Sequence, residues 1–280
     1  MERVLIAGCG YVGGRLAELL RDDGVGVWGL KRRPATLPAG VEPVAGDVTD
    51  PSTLGDLPGD VDAVVYAVSP AGRTEDAYHA AYVDGLRNVL EAVAGAPRVV
   101  LVSSTGVYGQ TDGRWVDEET EEEPAEATAE AVLDGETVAR ERGRPGVVLR
   151  LGGIYGPGRT RTVDRVLSGD APCMGPELYG NRIHRDDAAG AARHLLGLAE
   201  PQGVYLGVDR EPAPLRAVYA WIAERAGVPD PCDDADGSAV VTEGRRGTNK
   251  RCSSDRLAAS GYDFRYPTFR DGYAELMDAG

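Results

Sequence analysis

The chain has few cysteines and no long apolar run. Its four cysteines, Cys9, Cys173, Cys232 and Cys252, lie far apart in sequence and lack the paired spacings of zinc sites or disulfide frameworks. We therefore expect four free thiols and no metal site. No apolar stretch approaches the roughly twenty residues of a membrane-spanning helix, and the N-terminus lacks the basic and apolar regions of a signal peptide. These absences predict a soluble, cytoplasmic protein with no membrane partner.

Lysine is almost missing from the sequence. Lys31 and Lys250 are the two lysines among 30 basic residues, which face 45 acidic ones and leave a formal net charge of -15. Such a charge argues against sequence-independent binding to nucleic acid, because that binding depends on cations that neutralise phosphates. The acidic bias fits a salt-adapted protein, since salt screens carboxylate repulsion, and equally an acidic protein from a GC-rich genome.

The apolar pattern predicts alternating strands and helices. Residues 3–7 form an apolar run that reads as a strand, and apolar residues then recur at helical spacing. Almost entirely apolar strands are typical of a parallel sheet covered on both faces. We therefore predict an α/β fold with a doubly wound parallel sheet of the Rossmann type. Further strands are predicted at residues 25–30, 42–45, 63–68, 98–103 and 147–151, with a long helix at 78–93.

The strict alternation loosens after Tyr155. This change predicts a dinucleotide-binding Rossmann domain over residues 1–155 and a smaller C-terminal substrate lobe over residues 156–280. The segment 181–208 is expected to return to the first domain. In such folds, ligands bind in the crevice at the carboxyl edge of the sheet.

A glycine pattern follows the first predicted strand. Gly8, Gly10 and Gly13 fit G-x-G-x-x-G, with Tyr11 and Val12 between the last two. The pattern alone is weak in a chain with 38 glycines. Its position between a strand and a helix makes it specific, because the helix start can then bind the pyrophosphate of a dinucleotide. All five residues are predicted to bind the cofactor.

Three consecutive cations, Lys31, Arg32 and Arg33, lie at the end of the second predicted strand. A carboxylate at this place binds the ribose 2′-hydroxyl of NAD, whereas a basic residue accommodates the 2′-phosphate of NADP. The sequence therefore favours NADP over NAD. The other interpretation of the three cations is a solvated basic turn.

Two further strand ends are expected beside the cofactor. Asp47 and Val48 follow the third strand, where Asp47 could accept a hydrogen bond from the adenine amino group or serve as an ordinary turn residue. Ala67 and Val68 end the fourth predicted strand and complete the predicted cofactor site.

Together with these features, several later motifs resemble the extended short-chain dehydrogenase/reductase superfamily, which includes the NAD-dependent epimerases and dehydratases. The resemblance runs nearly end to end, and the order and spacing of its motifs are more specific than any one of them. The motifs are the glycine turn and residues 46–48, 82–88, 102–109, 149–159 and 181–187.

The resemblance implies that Ser104 donates a hydrogen bond to a substrate oxygen. Members of the superfamily usually carry a Tyr-x-x-x-Lys pair on the next helix, but no such pair occurs in this chain. Counting back from Glu136 places Thr128 and Val132 at its positions, and Tyr82 stands where an asparagine is common. The chain therefore resembles an atypical branch of the superfamily that lacks the standard acid/base pair.

The resemblance also implies that Arg159, Arg182 and His184 face the substrate. A structural role is favoured for His184, as it is for Tyr108 and Tyr155, and the arginines could instead be surface cations. We expect an NADP-dependent oxidoreductase or epimerase/dehydratase-like enzyme acting on a small, anionic carbonyl or hydroxyl substrate. A non-catalytic NADP(H) sensor or scaffold is the alternative, and by analogy a homodimer is compatible with either.

Overall fold

Apolar residues at the N-terminus build the central strand of the main sheet. The structure, a computed structural model, describes residues 1–95, 97–233, 240–242, 244 and 248–278. Val4, Leu5 and Ile6 on the first strand are fully buried, as expected for a strand that is covered on both faces. The strands are β1 Arg3–Ala7, β2 Gly26–Lys31, β3 Glu42–Ala45, β4 Ala63–Tyr66, β5 Arg98–Ser104, β6 Trp115–Val116, β7 Gly146–Leu151, β8 Gly153–Tyr155, β9 Arg182–His184, β10 Val204–Gly207 and β11 Arg251–Cys252.

Seven of these strands form one parallel sheet in the order β10-β7-β5-β4-β1-β2-β3. The order reverses between β1 and β4, so the carboxyl ends of these two strands mark the switch point of a doubly wound sheet. The predicted fold class is confirmed. Two small parallel pairs, β6 with β11 and β8 with β9, lie outside the main sheet.

Most of the described helices lie between strands, and the last two follow the final strand. They are α1 Tyr11–Asp22, α2 Glu75–His79, α3 Gly85–Ala92, α4 Ala127–Arg142, α5 Arg161–Leu167, α6 Arg185–Gly197, α7 Leu215–Ala226, α8 Asp255–Ala259 and α9 Phe269–Asp278. A π-helical turn, Ala80–Asp84, joins α2 to α3, so the predicted long helix carries a local distortion. In this turn the N–H of Gly85 bonds to the carbonyl of Ala80, while the buried hydroxyl of Tyr66 donates to the carbonyl of Ala81. No helix of the described residues is both long enough and apolar enough to cross a membrane.

The chain forms two compact units, each assembled from several segments. The first consists of Met1–Val107, Glu126–Arg150 and Ala188–Tyr205, and the second of Tyr108–Ala125, Leu151–Asp187 and Leu206–Gly280. The division predicted from the sequence has a boundary after residue 155 and a return of segment 181–208 to the first domain. In the structure the returning segment is Ala188–Tyr205, and Tyr108–Ala125 belongs to the second unit.

The second unit corrects the prediction of four free thiols. Cys173 and Cys232 form a disulfide, although 59 positions separate them in sequence. Their Cα atoms lie 4.7 Å apart, within the range that a disulfide requires. The spacing rules failed because they detect pairs that are close in sequence, whereas the fold brings these two together. Cys9 and Cys252 are buried and do not form a disulfide.

Candidate functional site

The glycine turn after β1 is built by backbone packing that excludes side chains. Gly8 has a φ of 85°, in the region that favours glycine. A Cβ at this position would lie 2.5 Å from the carbonyl carbon of Ala67 and 2.6 Å from the amide nitrogen of Val68. A Cβ at Gly13 would lie 2.6 Å from the carbonyl oxygen of Gly8. The first and third glycines are therefore required by the close approach of β1, α1 and the end of β4.

The second glycine leaves room in front of the helix start. A Cβ at Gly10 would meet only the carbonyl oxygen of Gly8, at 3.9 Å. Gly10 is the N-cap of α1, which begins at Tyr11 and continues through Val12, and a glycine has no side chain of its own to cap this end. The first turn contains no acidic residue, so its positive end is not neutralised from within the helix. An open, uncapped helix start behind a glycine turn is suited to a diphosphate.

The three predicted cations lie where β2 ends. Lys31 is the last residue of that strand, and its Nζ donates to Oγ1 of Thr36 at 2.8 Å. Arg32 and Arg33 follow and are exposed. This end of β2 is next to the end of β1 in the sheet, and the glycine turn leaves from the end of β1. The geometry is therefore compatible with a phosphate at the cations and a diphosphate at the turn.

Asp47 and Val48 form the turn after β3. Oδ1 of Asp47 accepts from the amide and the hydroxyl of Thr49, at 3.0 and 2.8 Å, and these bonds lower the pKa of the carboxyl. Val48 is buried, and its carbonyl accepts from Nδ2 of Asn88 at 2.9 Å. Asp47 thus serves as a turn residue, and its contact with adenine stays a prediction.

Ser104 lies at the carboxyl end of β5 and is half-buried. Its Oγ accepts from the amide of Gly106 at 3.0 Å, which leaves the hydroxyl proton for another acceptor. The preceding Ser103 points to the opposite face of the sheet, where its hydroxyl donates to Oε1 of Glu136 at 2.6 Å. Two adjacent serines thus have separate surroundings, and only Ser103 is tied to the buried carboxylate.

The helix that follows carries neither a phenol nor an amine at the predicted positions. Thr128 and Val132 are buried on α4. Glu136, one turn further on, is fully buried and bonds to Arg150, with Oε1 2.9 Å from Nε and Oε2 2.7 Å from Nη2. Arg150 was not predicted from the sequence as a member of this site. A lone charge inside the apolar strand β7 was the available signal, because a buried arginine requires a partner.

The predicted substrate residues belong to the second unit and differ in exposure. Arg159 is exposed, whereas Arg182 and His184 on β9 are buried. Nδ1 of His184 accepts from the amide of Asp186 at 3.2 Å, so Nε2 carries the ring proton in the neutral imidazole. Burial lowers the pKa of His184, which favours that neutral form. The role of these three residues in substrate binding stays a prediction.

Two tyrosines expected to be structural are buried in the same unit. The hydroxyl of Tyr108 donates to the carbonyl of Asp117 at 2.8 Å, and the ring of Tyr155 lies 4.5 Å from that of Tyr273. Lys250 is also buried, and its Nζ donates to the carbonyl of Tyr108. Among the described residues, no group of three or more histidines, cysteines or acids is arranged to hold a metal ion.

Comparison with known proteins decides the family. Residues 4–173 match the NAD dependent epimerase/dehydratase family. The chain belongs to this family. It is an NAD(P)-binding protein of the extended short-chain dehydrogenase/reductase superfamily. The matched residues include every predicted cofactor residue and Ser104, as well as Arg159.

The relatives cover different shares of their own length. A solved structure of a protein from Methylobacillus flagellatus, named for the same family, is 35% identical to this chain. The two superpose with a TM-score of 0.82, and the match covers 99% of this chain and 98% of the other. The 3-diazoavenalumate denitrifying reductase of a Streptomyces species is 29% identical over an alignment of 311 positions, which covers 96% of this chain and 98% of the relative. Short-chain dehydrogenase/reductase family 42E member 1 of Xenopus laevis is 29% identical over 225 residues. The match spans 69% of this chain and 57% of that relative.

Proposed function

We propose that this family member is an NADP(H)-dependent oxidoreductase that acts on a carbonyl or hydroxyl carbon of a small anionic substrate. The observation that carries the proposal is the glycine turn, in which Gly8 and Gly13 are fixed by backbone packing while Gly10 leaves the start of α1 open. The name of the Streptomyces relative, a reductase that matches this chain nearly end to end, supports reduction over epimerisation.

The choice of NADP rests on the end of β2. Lys31, Arg32 and Arg33 offer three positive charges where an NAD-specific protein has a carboxylate. The exposed guanidinium groups of Arg32 and Arg33 suit a phosphate monoester, because a guanidinium can donate two parallel hydrogen bonds to phosphate oxygens. A solvated basic turn is less expected in a chain with a formal net charge of -15.

In the proposed mechanism, separate groups of residues bind the cofactor and the substrate. The amides at the start of α1 would hold the diphosphate, and the cations after β2 would hold the 2′-phosphate. When bound, the cofactor supplies or accepts the hydride. Ser104 would donate its hydroxyl proton to the substrate oxygen in a hydrogen bond, since its Oγ already accepts from Gly106. Arg159, which is exposed, is the arginine that we propose for the anionic group of the substrate.

A second candidate is a non-catalytic NADP(H) sensor. The observation that favours it is α4, where Thr128 and Val132 occupy the places of the usual tyrosine and lysine, and Glu136 is held by Arg150. No proton donor is therefore assigned on this helix. A sensor would bind the cofactor as tightly as an enzyme would, and the two candidates differ only in turnover.

Calorimetric titration with NADPH and NADH tests the cofactor proposal. We expect NADPH to bind at least about ten-fold more tightly, because each charge-assisted hydrogen bond contributes about 1.5–3 kcal/mol. Replacing Arg32 and Arg33 together by alanine should remove the preference and leave NADH binding unchanged. Arg87→Ala, an exposed arginine on α3, is the control and should bind both cofactors as the unchanged protein does. Equal affinity of the unchanged protein for both cofactors would refute the NADP assignment.

Turnover separates the enzyme from the sensor. NADPH oxidation is followed with a panel of small carbonyl compounds that carry a carboxylate or phosphate. Ser104→Ala should lower kcat/KM by about 10- to 100-fold, in line with the loss of one hydrogen bond to a charged group, while NADPH affinity stays the same. Tight NADPH binding without turnover of any panel member would favour the sensor.

A further inference from the structure

Inside the second unit lies a cluster of polar atoms that have no hydrogen-bond partner among the described residues. It comprises Nη1 and Nη2 of Arg182, the hydroxyl of Tyr155 and Oδ2 of Asp209. The three residues are only 5%, 5% and 2% exposed. Buried polar groups are nearly always hydrogen-bonded, and an unpartnered one points to water, an ion or a functional role. Three such side chains in one place therefore call for a common explanation.

The small sheet of β8 and β9 brings these groups to one face. Tyr155 pairs with His184 in the parallel register, and Arg182 lies two positions before His184 on the same strand face. Asp209 joins them because its amide donates to the carbonyl of Arg182 at 2.7 Å. Helix α9 covers this face, and the ring centroid of Phe269 on that helix lies 5.5 Å from the guanidinium carbon of Arg182.

Two glycines make room for the unpartnered atoms. A Cβ at Gly180 would lie 2.6 Å from Nη2 of Arg182, and a Cβ at Gly272 would lie 2.0 Å from the hydroxyl of Tyr155. Any larger residue at either position would displace one of the two polar groups. The two glycines thus allow the guanidinium and the tyrosine hydroxyl to lie directly against the backbone on two sides of the cluster.

Asp209 does not satisfy the arginine. Its Oδ2 lies 4.0 Å from Nη1 of Arg182, which is beyond hydrogen-bonding distance. Its Oδ1 accepts from the amide of Glu211 at 3.3 Å. Burial raises the pKa of this carboxyl to about 7 although Arg182 opposes the shift, so the arginine stabilises the ionised form incompletely.

The unpartnered atoms contain more donors than acceptors. Each terminal nitrogen of the guanidinium carries two N–H groups, and the tyrosine adds one O–H, whereas the carboxylate offers one oxygen. Water brings donors and acceptors in equal number, so water alone cannot remove an excess of donors. A small anion brings acceptors only, and its charge compensates the arginine when Asp209 is protonated, which the raised pKa of that buried carboxyl favours.

We propose that the cluster of Arg182, Tyr155 and Asp209 is an internal binding site for a small monovalent anion, of the size of chloride or formate. The anion accepts from the guanidinium and from the tyrosine hydroxyl. It lies between the β8–β9 pair and α9, and it helps to hold the C-terminal helix on that sheet. The site is independent of the proposed oxidoreductase activity, and it gives Arg182 a different task from substrate binding.

Thermal unfolding of the full chain tests this site. The midpoint is measured in sodium chloride, sodium formate and sodium gluconate at equal ionic strength, because gluconate is too large to enter. We expect chloride or formate to raise the midpoint above that in gluconate, with a saturable dependence on concentration. The order of chloride and formate distinguishes a spherical from a planar anion. Equal midpoints in all three salts would overturn the proposal.

Three variants connect the response to the cluster. Arg182→Met should abolish the difference between the salts, and Tyr155→Phe should weaken anion affinity by about ten-fold or more, since one hydrogen bond to a charged group is lost. Arg216→Met, at an exposed position on α7, is the matched control and should retain the full response. A response of Tyr155→Phe equal to that of the control would contradict the site even if Arg182→Met fails to fold. Bromide soaked into crystals provides a direct check, because its anomalous signal should appear beside Arg182, and a signal only elsewhere would refute the assignment.

Discussion

Each of the two units contains a buried arginine beside a buried carboxylate, but the two pairs differ in how completely they are hydrogen-bonded. In the first unit, Glu136 and Arg150 are fully buried and joined by two bonds, and Ser103 donates a third to the carboxylate. In the second unit, Oδ2 of Asp209 and Nη1 of Arg182 are 4.0 Å apart, and neither atom has a hydrogen-bond partner in the part of the chain that the structure describes. The geometry of each pair decides what it can do. The closed pair can hold β5 and β7 against α4, whereas the open pair leaves polar atoms that can bind a ligand.

The largest effect is expected from breaking the closed pair. Arg150→Met should lower the free energy of unfolding by about 3–5 kcal/mol, because it leaves Glu136 as an unpaired buried charge. Urea unfolding followed by circular dichroism measures the loss. Glu91→Gln is the control, because Glu91 and Arg142 form an exposed surface pair at 3.3 Å and such pairs contribute about 0–1 kcal/mol.

A double variant sharpens the same measurement. Arg150→Met combined with Glu136→Leu removes both charges, and it should recover part of the stability lost in Arg150→Met alone. If the free energy of unfolding of the double variant is lower than that of Arg150→Met, then the unpaired charge of Glu136 is not the cause of the stability loss in Arg150→Met.

The stability contributed by the open pair should depend on pH. The pKa of Asp209 is raised to about 7 in the folded protein, against about 3.9 in the unfolded chain, so the folded state binds the proton more tightly. Its stabilising contribution is therefore complete below about pH 4 and is lost as the pH rises through about 7. The stability of Asp209→Asn relative to the unchanged protein should rise by a few kcal/mol between about pH 4 and pH 8.

Urea unfolding at intervals between these pH values follows that difference. Glu211→Gln, at a half-buried neighbouring carboxylate paired with Arg270, is the control for the loss of an acid from this region. A stability difference between Asp209→Asn and the unchanged protein that does not vary with pH would show that Asp209 stays ionised throughout.

The first unit could be predicted from the sequence in more detail than the second. Its strands are apolar runs bounded by turns, and its glycine turn has a fixed local spacing, so both are visible within a short window. The second unit depends on contacts between distant segments. Cys173 forms a disulfide with Cys232, and Asp209 lies beside Arg182. No local sequence pattern predicts these contacts, because the chain between the partners is long. Strands of three residues such as β8 and β9 are also too short to show a period.

The candidate site divides in the same way. The glycine turn at Gly8 was predictable as a structural element because its spacing is local, and the family match contains it, while cofactor binding by its residues stays a prediction. Arg150 was missed because the sequence shows its charge but not its partner. The roles predicted for Arg159, Arg182 and His184 came from resemblance alone, which gives positions along the chain without the burial of each side chain.

The smallest effect is expected from Ser103, the neutral member of the closed network. Ser103→Ala removes the donor to Oε1 of Glu136 but leaves Nε of Arg150 on the same oxygen at 2.9 Å. Because the carboxylate keeps its charge partner, the loss should be about 1–2 kcal/mol, measured by the same urea unfolding. Ser52→Ala is the control, since the hydroxyl of Ser52 also donates to a carboxylate, Asp50, but at the surface, where such changes are within about 0.5 kcal/mol. If both alanine variants lose the same stability, the buried hydrogen bond from Ser103 to Glu136 contributes no more than the exposed bond from Ser52 to Asp50. Burial would then not strengthen the hydrogen bonds of this network.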